Sequence, residues 1–332
     1  VNRVVLAGHV CVDLSPDAQQ LPVEPGRLVE VGPLHITLGG SVANTGRALV
    51  ALGIDALFAA RVGADDLGRI AADLLRRSGL SGTPTVTSEH GTSYSIVLEP
   101  DGADRSFWHY VGANLEFDGT EIQDDGDIVH LGYPSLLPRL VADDGALLRS
   151  FLTATRERGA VTSVDLAVVD PSSTVDWRSV LSTTMPLIDL VTPSADDLRS
   201  ALQMPAATAP ELVELLLEWG AAVAVVSDGS AGMSLGAAGA ERLARSGPTL
   251  ARLVDEWADA RLHQPIVPVR RHVTTNGAGD AATAGVLSGV LSGAPPAEAT
   301  ARAARTAAAV IEGDLFVPMK SVDSTPHLED AL

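Results

Sequence analysis

Residues 273–293 read VTTNGAGDAATAGVLSGVLSG. The stretch opens with β-branched residues, turns at Asn276-Gly277-Ala278-Gly279-Asp280 and continues as a helix of small residues. Two glycines let a backbone turn tightly and come close to a ligand. The amides of Gly277, Ala278, Gly279 and Asp280 would then project from a helix N-terminus. Unpaired N–H groups and the positive end of the helix dipole make such a place an anion hole. Asp280 could serve only as an N-cap, which Asp does well. A cap alone does not call for two preceding glycines, or for a helix start kept narrow by Ala281 and Ala282. A carboxylate beside an anion hole is what phosphorylation of a hydroxyl requires. It takes the proton, while the amides hold the charge on the transferred group.

Upstream of this motif, strand and helix signals alternate. GGSVANTGRALVALG from Gly39 reads as a turn and an Ala-rich helix stopped by Gly53, and DALFAARVG as a strand. DDLGRIAADLLRRSG is an amphipathic helix with acidic residues in its first turn and Arg in its last, matching the helix dipole. Then follow DIVHLGYP (strand), ALLRSFLTATRERG (helix), AVTSVDLA and LIDLVTPS (strands), ELVELLLEWG (helix) and AAVAVVSDG (strand). The alternation predicts an α/β fold, a mostly parallel sheet covered by helices on both faces. Ligands in such sheets bind beyond the C-terminal strand ends, where Asp13, Gly132, Asp165, Ser194 and Ser227 fall. Three other pieces alternate polar and apolar residues: the run around residues 10–14, LVEVGPLHITL at 28–38, and YSIVLEP with RSFWHYVG at 94–111 across the turn EPDGAD. They predict a small antiparallel sheet with one open face. Residues 317–332 read as a tail.

Composition narrows the chemistry. The 332 residues are 46% hydrophobic and only 4% aromatic, so the core must rest on Ala, Val and Leu. The formal net charge of −19 disfavours nucleic acid and anionic membranes as partners. Lys320 is the only lysine, which excludes a P-loop and the lysine-dependent site of a protein kinase. Cys11 is the only cysteine, so no internal disulfide forms and no cysteine cluster holds zinc; it reads as a small buried hydrophobe. His9, His109 and His130 have no metal-ligand spacing and read as satisfied or surface histidines. With no leader-like segment and no bilayer-length apolar run, the sequence predicts a cytoplasmic protein.

Several segments together resemble the PfkB, or ribokinase-like, carbohydrate kinases. Residues 273–293 resemble the second family signature around its GAGD box, and LGGSVANTGRALVALG at 38–53 the first. GHVCVD resembles the opening strand with its substrate aspartate, RVGADDLG the VGxDxxG stretch, VGAN at 111–114 the GAN stretch, and VVSDGSAGM the glycine loop at the nucleotide. The matches run in family order over residues 4–312. The resemblance implies a ribokinase-like three-layer α/β sandwich over residues 1–316, with a β-sheet lid from about 10–38 and 94–111. It implies ATP with Mg²⁺ and a sugar or nucleoside acceptor. Asp280 would be the base, Gly277, Ala278 and Gly279 the anion hole, and Asp13, Gly39, Gly40, Asn44 and Asn114 the acceptor residues. Ser227, Gly229, Gly232 and Asn276 would bind the nucleotide, and Asp197 the metal through water. Asn44 carries its own signal, because an Asn among Ala and Val on a helix needs hydrogen-bond partners. The lid of relatives often pairs with a second subunit, so a homodimer is a further expectation.

The chain departs from the family pattern at four places. Ser41 follows the Gly-Gly turn where many relatives have Lys. Thr274 stands where an Asp helps hold a monovalent cation, which leaves potassium dependence open. The Asn-x-x-Glu box is Ser194-Ala195-Asp196-Asp197, and the Asp-x-Asn-x-Arg strand ends as Asp165-Leu166-Ala167-Val168-Val169, without the Arg. Residues 240–264 exceed the usual connection. Within them LARLVDEWADARLHQ reads as an extra amphipathic helix, either beside the nucleotide or simply packed on the surface. The functional expectation is ATP-dependent phosphorylation of a sugar-like hydroxyl. A nucleoside kinase and a non-catalytic sensor of sugar or nucleotide are the alternatives.

Overall fold

The computed structural model describes residues 2–17, 26, 28–98, 106–122, 126–170 and 172–315. The tail expected at 317–332, Lys320 and the turn expected at 99–104 lie outside these residues. The chain begins with Arg3–Gly8 (β1), Cys11–Pro16 (β2), Leu34–Gly39 (β3), Ser41–Ala51 (α1), Asp55–Ala59 (β4), Arg61–Gly63 (β5) and Asp66–Arg77 (α2). Next come Thr85–Thr87 (β6), Tyr94–Leu98 (β7), Ser106–Tyr110 (β8), Ile128–Gly132 (β9), Pro138–Glu157 (α3) and Val161–Asp165 (β10). Trp177–Thr184 (α4), Leu190–Val191 (β11), Ala195–Leu202 (α5), Ala209–Glu218 (α6), Val223–Ser227 (β12) and Met233–Ala237 (β13) follow. Ala240–Ala244 (α7), Pro248–Ala251 (α8), Val254–Trp257 (α9), Arg261–Gln264 (β14), Ala278–Ser292 (α10) and Pro296–Ile311 (α11) complete the order.

Eight strands form the main sheet in the order β14-β13-β12-β11-β10-β9-β1-β4. The six from β12 to β4 run parallel, and β13 and β14 pair antiparallel at one edge. β9 and β10 are buried throughout, as strands covered on both faces must be. Successive side chains of β1 separate into two cores. Val4 and Leu6 pack with α1, α2, α10 and α11, and Val5 and Ala7 pack with α3–α6. This is the expected α/β sandwich of three layers.

Helix α10 is buried from Asp280 to Leu291, which its small residues permit. A Cβ on Gly285 would lie 2.5 Å from Ala303 Cα, and one on Gly289 2.5 Å from Ala299 Cβ. The two glycines, one turn apart, let α11 pack at short range. Adding side chains there would cost about 1–3 kcal/mol of overpacking.

The lid is a four-stranded sheet in the order β3-β2-β7-β8, antiparallel in its two outer pairs as expected but parallel where β2 meets β7. Its β3 begins at Leu34 rather than residue 28. Residues 28–33 are not strand, although Gly32 and Pro33 still exchange backbone hydrogen bonds with Asp17, and Leu28 is 93% exposed. DALFAARVG also divides, giving β4 to the main sheet and β5 to a separate pair with β6.

The expected single helix within 240–264 is instead three short helices and the edge strand β14. Gly247-Pro248 stops one helix and starts the next, since Pro suits the first helical turn. Trp257 is fully buried and donates Nε1–H to Ala294 O, and Arg252 donates to Leu291 O. Both contacts are at the C-terminal end of α10. The helices therefore sit at the end of α10 opposite the anion hole, and a place for them beside the nucleotide is corrected. No helix among the described residues is long and apolar enough to cross a membrane.

Candidate active site

A cavity of about 470 Å³ opens between the lid and the C-terminal ends of the parallel strands. Asp13, Gly40, Asn44, Asp197, Ser227, Asn276, Gly277, Gly279 and Asp280 all line it. Residues from the whole length of the chain thus meet where an open α/β sheet binds ligands.

Gly277 precedes α10 with φ +77°, a conformation that L side chains resist. Asp280 is not the cap. It lies one turn inside the helix, 2% exposed, with its carboxylate turned to side chains of three other segments. Asn44 Nδ2 (3.0 Å) and Tyr133 Oη (2.8 Å) donate to Oδ2, and Thr45 Oγ1 (3.2 Å) to Oδ1. Burial raises the Asp280 pKa above the ordinary carboxylate value, and the donors from Tyr133, Asn44 and Thr45 oppose that rise. The result is a fixed carboxylate of increased basicity, which suits a proton acceptor. The expected anion hole is narrower by one amide. Ala278 N–H turns back to Thr275 O at 3.2 Å, whereas the amides of Gly279 and Asp280 have no backbone acceptor among the described residues. Outside its own helical turn, no atom lies within 4 Å of where a Cβ of Gly279 would sit, so a ligand can reach this backbone.

The lid end begins where β1 passes into β2. Asp13 is 6% exposed, and a Cβ on Gly39 would overlap its carboxylate. Gly40 has φ +89°, and a Cβ there would lie 2.6 Å from His9 Nδ1. These two glycines are required by close approach and backbone sign. Gly39 stands behind Asp13 and Gly40 faces the cavity. Asn114 is not brought to the cavity lining. It is fully buried and donates Nδ2–H to Val10 O at 3.0 Å, holding the connection that carries the acceptor residues. His130 is a satisfied histidine between Ser163 and Ser41, its pKa lowered to about 3 by burial. His9, Cys11 and His109 line the cavity together, which their sequence spacing did not suggest.

At the other end Ser227 closes β12 and lines the cavity. Gly229 and Gly232 shape the loop behind it, with φ +51° and +89°; a Cβ on Gly232 would overlap Gln264 O. Asp197 uses Oδ2 in the cap of its own helix, accepting from Ser194 N (2.9 Å) and Ser194 Oγ (2.5 Å). Its pKa is pushed up to about 6 by burial, against the Ser194 hydrogen bonds. Sequence reasoning placed Asp165 only at a ligand-facing strand end and gave no role to Tyr133 or Thr45. Asp165 is buried at the end of β10, its pKa well above the usual range because of burial and then the charges of Asp280 and Asp197. Its position at a strand end was the available signal. Tyr133 sits just past β9 with φ +60°, a geometry with no sequence mark in a tyrosine. Asp165, Asp197 and Asp280 make an acidic wall; burial raises the pKa of each carboxyl, and a cation placed beside them would offset the cost of ionising them.

Comparisons with known proteins agree with this geometry. Residues 1–314 match the pfkB family carbohydrate kinase profile. Fructokinase-2 of Oryza sativa subsp. japonica is 27% identical over 143 residues, and the match spans 41% of this chain and 41% of that protein. Arabidopsis thaliana ribokinase, solved with ribose and ATP, superposes with a TM-score of 0.68 at 19% identity, covering 93% of this chain and 92% of that one. Burkholderia thailandensis nucleoside kinase, solved with inosine, superposes with a TM-score of 0.67 at 16% identity, covering 93% and 91%. The fold is ribokinase-like, and the chain belongs to the pfkB family of carbohydrate kinases, phosphotransferases that act on hydroxyl groups.

Proposed function

We propose that this chain transfers the γ-phosphoryl group of ATP to a hydroxyl of a sugar or sugar-like molecule. One observation carries the reading: Asp280 is buried, held by three donors, and placed beside the open amides at the start of α10. The acceptor oxygen attacks Pγ as its proton passes to Asp280, the β–γ bridging P–O bond breaks, and ADP leaves. The backbone at 277–280 takes the charge of the transferred group, with the Gly279 and Asp280 amides foremost. Asp13, Gly40 and Asn44 receive the acceptor hydroxyls, with Gly39 and Asn114 holding that end in shape. Ser227, Gly229, Gly232 and Asn276 form the nucleotide end.

The acidic wall gives a reason for Mg²⁺. Asp197, whose Oδ2 is taken by Ser194, would hold the ion through water with Oδ1, and the ion would supply positive charge to both the triphosphate and the acidic wall. Such an ATP-consuming reaction fits the cytoplasm. A homodimer through the lid fits the exposed apolar groups that alternate onto one lid face, Leu34 and Ile36 on β3 and Trp108 and Tyr110 on β8.

Phe107 favours a second reading. It lines the cavity from β8 and offers an aromatic face to a nucleoside base. ADP release from MgATP across a panel of sugars and nucleosides separates the two. Turnover on a sugar supports the first reading and turnover on a nucleoside the second. ATP binding without turnover on any compound would point to a sensor instead.

A further inference from the structure

His9, Cys11 and His109 come from the β1–β2 connection, the first residue of β2 and the last lid strand. Each offers one ligand atom, and these atoms all lie within 4.8 Å of one another. The two imidazole rings are 5.2 Å apart, tilted by 56°. His9 is 2% exposed, and both its ring nitrogens are buried with no hydrogen-bond partner. A buried ring nitrogen left unpaired keeps its desolvation cost, so these nitrogens call for a partner. Ser95 Oγ lies 3.0 Å from His109 Nδ1 and orients that ring, as a second partner orients a metal-binding imidazole. The same hydroxyl is 3.7 Å from Cys11 Sγ, and Asp13 Oδ1 is 3.3 Å from it.

We propose that His9, Cys11 and His109 bind a zinc-class divalent cation, with a fourth position open to the cavity. Two imidazoles and a thiolate select a borderline-soft ion, whereas Mg²⁺ and Ca²⁺ prefer oxygen. The site is therefore chemically distinct from the acidic wall at the nucleotide end. Binding releases the Cys11 thiol proton to solvent and forms the sulfur–metal bond. Because His109 lies on β8 and His9 leads out of β1, the bound ion ties the last lid strand to the body. It sits beside Asp13, where the cation and a hydroxyl-bearing acceptor compete for space. The inference rests on where the three side chains lie and not on phosphoryl transfer.

Co²⁺ titration of the chelator-stripped full chain tests it without any turnover. We expect one equivalent to bind with a thiolate-to-cobalt charge-transfer band and the intense visible bands of a four-coordinate ion. Zn²⁺ displaces the Co²⁺ and raises Tm, and Mg²⁺ does neither. Cys11→Ser should abolish the thiolate band, and His109→Gln should weaken Zn²⁺ binding at least about tenfold against a chromophoric chelator. Circular dichroism checks that each variant folds; His109→Gln, on a lid strand, carries the test if Cys11→Ser does not. Co²⁺ binding without a thiolate band, or Zn²⁺ affinity unchanged in His109→Gln, overturns the proposal. Either result would leave His9 and His109 to the acceptor's hydroxyls.

Discussion

The two ends of the cavity are both polar but are built in different ways. At the α10 end one run of five residues, Asn276–Asp280, supplies the turn, the open amides and the carboxylate. At the lid end the polar groups come from the β1–β2 connection, the β3–α1 turn and β8, brought together by strand register. Asn44 joins the ends, since it lines the cavity beside the lid turn and donates to Asp280. Chemistry that needs fixed dipoles is encoded locally on the end of a rigid helix, while recognition is spread over a sheet whose strands can vary separately.

That contrast predicts that changes at the α10 end act on turnover and changes at the lid end on acceptor affinity. Gly277→Val should have the largest effect of three substitutions. It forces a side chain onto a backbone with φ +77° and puts a Cβ 3.3 Å from Asn44 Cγ. We expect a loss of about 10²-fold in kcat, comparable to losing one donor to a transition-state oxyanion. An unchanged kcat would break the contrast. Gly40→Ala should act mainly on the acceptor KM, raising it about tenfold. This follows from about 1–3 kcal/mol of backbone strain beside His9 and Asp13. Steady-state kinetics with acceptor and ATP varied separately checks this, and an effect confined to the ATP KM would contradict it.

The smallest effect is on stability. Asp197 has a folded pKa of about 6, above its unfolded value. Between about pH 4 and pH 6 the native state thus binds more protons than the unfolded state, and stability falls as pH rises through that window. Asp197→Asn removes the penalty while its side-chain oxygen can still accept from Ser194. The variant's Tm, relative to wild type, should therefore be higher at pH 7 than near pH 4.5. A difference independent of pH would mean that Asp197 ionises like an exposed carboxylate.

The same contrast explains what was legible in the sequence. The α10 motif was legible as a turn leading into a helix because its residues are adjacent and its glycines have backbone reasons, whereas the return of the Ala278 amide to Thr275 O was not. The three-layer sheet was read from buried strands alternating with helices. Tyr133 and Thr45 escaped notice because their hydroxyls reach Asp280 only through the docking of β9 and α1 against α10. His9, Cys11 and His109 escaped because the spacing of a metal-type cluster is local in sequence only when one loop supplies it. Asn114 was assigned to the acceptor on its motif, yet its amide is spent on Val10 O behind the cavity. The apolar period of Leu250, Leu253, Val254 and Trp257 was real, since Leu250 and Trp257 are fully buried. The run nevertheless divides at Arg252-Leu253, and the extended Ala258 with Asp259 at φ +59° ends it before β14.

The most direct test is single-turnover transfer from γ-labelled ATP to the acceptor that the panel identifies, in wild type and Asp280→Asn. The account predicts labelled acceptor from wild type, a rate at least about 10²-fold lower in the variant, and nearly unchanged ATP and acceptor binding by calorimetry. In wild type the rate should fall as pH drops through the raised pKa of Asp280, because only the deprotonated carboxylate accepts the proton. Transfer by Asp280→Asn at a near wild-type rate would contradict the account and remove Asp280 from the chemistry.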